Sequence, residues 1–101
     1  MAWEIPEQLK HEFCATAKHR VAQALAALLP GGVATDAVVQ MHTLSGEASM
    51  LGYTDLGTAA REAHAAAKTW TAAPNAQNQL ACAKLLRTVG HLVPRLEADP
   101  P

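Results

Sequence analysis

Apolar residues recur every three or four positions through Leu9, Phe13, Ala17, Val21, Leu25 and Leu28. That spacing keeps one stripe on one face of an α-helix. Pro6 suits the first turn of this helix, where a missing N–H costs nothing, and Pro30-Gly31-Gly32 stops it. Thr35 or Asp36 can cap a second helix that runs to Leu51, with Gly52 as its left-handed stop. A tight turn at Tyr53 and Thr54 follows, and Thr54 or Asp55 opens a third helix. Leu56, Ala59, Ala60, Ala63, Ala67 and Trp70 form its apolar face. Pro74-Asn75 breaks the chain again. A fourth helix is marked by Leu80, Ala83, Leu86, Val89 or Gly90, Val93 and Leu96, and Pro94 is expected to kink or end it.

The predicted helices span roughly residues 5–29, 35–51, 55–72 and 75–97, with 98–101 a frayed tail. Four such helices joined by short turns fit one all-α domain over 1–101, an antiparallel four-helix bundle of up-down-up-down topology. No internal repeat or linker divides it.

Composition sharpens the picture. Half of the 101 residues are apolar but only 4% are aromatic, so Ala, Leu and Val must do most of the packing. Ala is the strongest helix former, which agrees with the periodicity. A net charge of -1 and a pI near 6.5 give no basis for a nucleic-acid or anionic-membrane partner. No apolar run approaches the roughly 20 residues needed to cross a bilayer. The start, Met1-Ala2-Trp3-Glu4, lacks the features of a signal peptide. Cys14 and Cys82 read as reduced, partly buried thiols, so the compartment expected is the cytoplasm.

The chemistry concentrates between residues 42 and 56, His-Thr-Leu-Ser-Gly-Glu-Ala-Ser-Met-Leu-Gly-Tyr-Thr-Asp-Leu. Positions four apart share a helix face, so Gly46 stands beside the His42 side chain. Gly costs about 1 kcal/mol in a helix interior relative to Ala, and this chain has Ala in abundance. Clearance around an exposed imidazole would be a reason to keep it.

These residues resemble the histidine phosphotransfer (HPt) domain family of multistep two-component phosphorelays. That family's segment is commonly His-x-Leu-Lys-Gly, two small residues, then Leu-Gly and a further Leu. His42, Leu44, Gly46, Ala48, Leu51, Gly52 and Leu56 fill the matching positions. The resemblance implies a helical bundle with its His midway along the second long helix. It implies that His42 accepts a phosphoryl group from a receiver-domain aspartate and passes it to another receiver. The partners implied are response-regulator receiver domains and a hybrid histidine kinase, and Mg²⁺ belongs to the receiver. The chain would have no cofactor and no resident metal, and would be a phosphohistidine carrier rather than an independent catalyst. A monomer is expected, either free-standing or as a piece of a hybrid kinase.

Two positions depart from the family pattern. Ser45 stands where the family usually has Lys, and Glu47 takes the first small position after Gly46. An anionic phosphoryl group is favoured by a nearby cation and disfavoured by a nearby carboxylate, so both changes oppose the charge. They motivate the alternative of a non-catalytic HPt-like adaptor that binds a receiver or a helical partner without carrying phosphate.

The turn offers a replacement for the missing cation. If the flanking helices are antiparallel about Tyr53, residues equidistant from it lie at similar heights. His64 then stands level with His42, each eleven positions away, and Arg61 stands level with Ser45. Arg61, His64 and Lys68 share one face by their spacing and are candidates for charge support. Val38, Met41 and Met50 are candidate apolar neighbours of His42 at an interface. His11 and Cys14 share one helix face with His19 two turns on, but a Zn²⁺ site would want a fourth ligand and no paired spacing such as Cys-x-x-Cys appears. No hydrolase or kinase motif appears, His91 and Cys82 read as surface and core, and Trp3 and Trp70 read as packing residues.

Overall fold

The computed structural model describes residues 5–98. Its helices are α1 (Glu7–Ala26), α2 (Ala34–Met50), α3 (Thr54–Ala72) and α4 (Ala76–Ala98). Each packs against two neighbours, α2 and α4 lying between α1 and α3. The short turns make consecutive helices antiparallel, so the four close into the bundle that the apolar periodicity predicts. The bundle measures 45 × 22 × 18 Å.

The core is built as composition requires, from small and aliphatic side chains. Met41 and Leu44 of α2, Leu56, Ala60 and Ala63 of α3, and Leu86, Val89 and Val93 of α4 are almost wholly buried. Burying each large aliphatic group contributes about 2 kcal/mol. Phe13 and Val21 bring α1 into the same cluster. Phe13 also stacks on Tyr53, with ring centroids 5.4 Å apart, which ties α1 to the α2–α3 turn. Trp70 packs against the core, while Trp3 lies outside the described residues. Cys14 and Cys82 are both fully buried.

The turn between α2 and α3 sets the register of the site. Gly52 adopts φ +85°, a conformation that costs a residue with a Cβ about 1 kcal/mol or more. The Tyr53 N–H donates to the Ala48 carbonyl at 2.8 Å and the Gly52 N–H donates to the Ser49 carbonyl at 3.2 Å. That bond pair is the Schellman arrangement, which satisfies the last carbonyls of α2 and reverses the chain at once.

Gly57 lies where α3 comes close to α2. A Cβ there would lie 2.9 Å from Ser49 Oγ, 3.5 Å from Ser49 N and 3.7 Å from the Ser45 carbonyl oxygen. The contact between these two helices is the most extensive in the bundle.

Several expectations at the helix ends are corrected. α1 stops at Ala26, short of residue 29, and the next residues tighten: the N–H groups of Ala27, Leu28 and Leu29 donate to carbonyls three residues back. Pro30 explains this, because it bars the residue before it from regular helix. Pro6 stands just outside α1 and lends its carbonyl to Lys10 N–H at 2.9 Å. Neither Thr35 nor Asp36 caps α2, because the helix begins at Ala34 after Val33 and holds both within its first turn. Thr54 does open α3 as expected, with Tyr53 at the N-cap position before it. Asn75 does cap α4, its Oδ1 accepting from Asn78 N–H at 2.8 Å.

Pro94 does not end α4, which runs on to Ala98. The proline sits on an exposed position near the helix end, where the residue whose carbonyl loses its partner is Gly90. Leu9 and Leu80 are 37% and 54% exposed rather than buried. Each lies in the first turns of its helix.

Candidate functional site

His42 lies at the centre of α2 and is exposed to solvent. Its position follows from the helix period. Ala37, Met41, Leu44 and Ala48 form the buried stripe of α2, and His42 is rotated about 100° from Met41. The core therefore fixes the backbone while the imidazole projects outward.

Gly46 lies one turn further along the same face. A Cβ built there meets nothing within 4 Å. The packing of this chain thus gives no reason for the glycine, and it leaves bare backbone beside the histidine ring.

His64 of α3 meets His42 across the helix interface, with ring centroids 5.2 Å apart and planes tilted by 45°. The level counted from Tyr53 is reproduced in space. His64 is half-buried, and its pKa is lowered first by that burial, then by His42, then by Lys68. Arg61 and Lys68 flank His64 by one turn on α3, both exposed.

The two departures from the family pattern have different outcomes. Ser45 turns its hydroxyl back onto its own helix, donating to the His42 carbonyl at 2.9 Å, and it adds no charge. Glu47 lies about 140° around the helix from His42 and faces α1. Arg20 grips its carboxylate with two bonds, Nε at 2.8 Å and Nη2 at 3.1 Å. A third donor of the same guanidinium reaches Gln40 Oε1 at 3.1 Å. A fork-to-carboxylate pair of this kind is strong and directional, so the negative charge is neutralised away from the histidine. The expectation that Glu47 opposes an anion at His42 is corrected on this geometry.

The apolar surroundings of His42 also differ from expectation. Met41 is fully buried, Val38 is half-buried, and Met50 is 81% exposed. Val39, one turn before His42, is 59% exposed and was not anticipated. Its signal was available in the spacing: Val39, His42, Gly46 and Met50 follow one another at steps of three or four. The Arg20–Glu47 pair was not legible, because 27 residues separate its members.

The residues of the motif divide cleanly. Leu44, Ala48 and Leu56 are buried in the core, and Gly52 makes the turn. Only His42 and Gly46 of the group are fully on the outside without a structural task of their own. The protein-family model of the Hpt domain matches residues 8–99, nearly the whole chain. The chain belongs to the Hpt domain family. No curated protein and no solved structure matches it.

Hpt domains serve histidine phosphotransfer in phosphorelays, within two-component signalling. In this Hpt domain the histidine of the matching segment is His42. Among the described residues, no helix is long and apolar enough to cross a membrane.

Proposed function

We propose that this Hpt domain is a phosphorelay intermediate in the cytoplasm, taking a phosphoryl group onto His42 from the aspartate of one receiver domain and delivering it to another. The exposed His42 ring beside bare Gly46 carries this reading. In the forward step an imidazole nitrogen lone pair attacks phosphorus, an N–P bond forms and the aspartyl O–P bond breaks. The return step reverses these changes on a second aspartate. Little covalent chemistry is asked of the domain, since transfer rests on positioning and on neutralising the moving charge.

The receiver would bring Mg²⁺ and the acidic pocket, and the domain would bring the projecting ring. Val39 and Met50 give the receiver an apolar contact beside the ring, with Thr35 and Thr43 as polar neighbours. Arg61, His64 and Lys68 would supply the positive charge that Ser45 does not, from the neighbouring helix. A hybrid histidine kinase carrying its own receiver is a natural donor for such a domain.

The test is a two-step transfer. A phosphorylated receiver is mixed with the domain, the donor is removed, and a second receiver is added. The expected result is an acid-labile, base-stable phosphoryl group on the domain that then moves to the second receiver, with His42→Gln inert in both steps. Receiver binding without any label on the wild type would identify an adaptor instead and would overturn the proposal.

A further inference from the structure

His64 sits where its own charge matters to whatever His42 carries. The two ring centroids are 5.2 Å apart, so the imidazoles are in direct contact. They come from different helices, held in register by the Gly52 turn and by the close contact at Gly57. Gly57 is two turns before His64 on the same face of α3, so the face that bears His64 is the one pressed against α2. A phosphoryl group on His42 would therefore be built out beside the His64 ring.

The charged groups that shift His64 both act against a proton on its ring. His42 acts on it from α2 and Lys68 from α3, after burial, and all three oppose a proton on the ring. Arg61 adds a further cation one turn away on α3. No charged group of α4 figures among the causes, and Glu47, the carboxylate nearest in sequence to His42 on α2, is taken up by Arg20. The free domain thus disfavours a proton on His64.

We infer that His64 is a charge switch for the relay, neutral while His42 is free and protonated once His42 carries a phosphoryl group, to whose oxygens it then donates a hydrogen bond. This rests on His42 being the acceptor. The proton balance is simple. Neutral His42 holds one ring proton, and attack through its other nitrogen leaves a phosphorylated imidazolium. That ring returns to neutrality by releasing its proton, and His64 or solvent takes it up. The proton retained at His64 is stabilised by the dianion beside it. Delivery to the next receiver removes the dianion and the proton leaves again. The cation that the family places on the histidine's own helix is then replaced by one that appears only when there is an anion to stabilise.

The direct test follows the His64 ring by nuclear magnetic resonance through pH titrations of the isotope-labelled full chain. One titration is made before, and one after, phosphorylation by phosphoramidate, a small donor that needs no receiver. Phosphorus resonance reports in the same sample whether His42 is loaded. The expected result is an upward move of the His64 midpoint by about one pH unit or more, the scale for two negative charges at this separation. The His42→Gln variant treated with the donor should show no move. A second measurement uses phosphohistidine lifetime: His64→Gln should shorten it and reduce its pH dependence near neutrality to the intrinsic acid lability, and His64→Lys should lengthen it again with that same reduced dependence. A loaded His42 with an unmoved His64 midpoint overturns the inference and leaves the acceptor assignment standing. A chain that takes up no phosphoryl group overturns both.

Discussion

Gly46 and Gly57 both stand in helix interiors, where glycine costs about 1 kcal/mol relative to alanine, yet their surroundings are opposite. Gly46 has open space where a Cβ would be, whereas Gly57 faces α2 at contact distance. Gly46→Ala should therefore stabilise the fold by up to about 1 kcal/mol in denaturant unfolding while slowing transfer from a receiver. A loss of stability would show an internal need for Gly46 and would remove the argument for clearance. At Arg20 the account is electrostatic. The Arg20 and Glu47 side chains are 24% and 34% exposed, so solvent weakens the pair. A double-mutant cycle with Arg20→Ala and Glu47→Ala should give a coupling of about 1 kcal/mol. Arg20→Ala alone should also slow phosphorylation, and Glu47→Gln should recover the rate in that background, because the released carboxylate is what harms the site.

The helices themselves were legible from apolar spacing, and the reason is physical: every face buried in α3 is a run of Leu, Ala and Trp at helical intervals. Their ends were less legible. Thr35 and Asp36 have capping side chains, but α2 starts two residues earlier than a cap at Thr35 allows. Pro94 carries the general penalty of a helix proline, but only four residues of α4 lie beyond it, so little ladder is lost. The α2–α3 pair was read better, since the turn is local and the Gly52 conformation follows from its sequence. His64 could be placed level with His42 by counting, whereas the bare Cβ direction at Gly46 and the contact at Gly57 needed coordinates. That contact makes its own prediction. Gly57→Ala should be tolerated, because the Ser49 hydroxyl at 2.9 Å can rotate away and the remaining distances are ordinary contacts. Gly57→Leu should cost about 1–3 kcal/mol by overpacking and separate His42 from His64, seen as loss of magnetisation transfer between the two rings.

For the whole molecule, the bundle works as a rigid stand that presents one face of α2. Its stability is distributed over all four helices, and its chemistry sits on a strip that the core leaves outside. Acid sensitivity links the two. Because the folded state lowers the His64 pKa, the unfolded chain binds a proton there more readily. Stability from this group is present above the ordinary histidine range and falls as pH drops toward the lowered value. Unfolding midpoints between about pH 7 and 5 should thus decline less steeply in His64→Gln than in the wild type. The central claim, that His42 is the residue that carries phosphate, is tested most directly by peptide mapping. The domain is loaded from a phosphorylated receiver, digested under alkaline conditions that preserve phosphohistidine, and sequenced by mass spectrometry. The account predicts the added group on His42. A group found on His11, His19, His64 or His91 with His42 unmodified would contradict it.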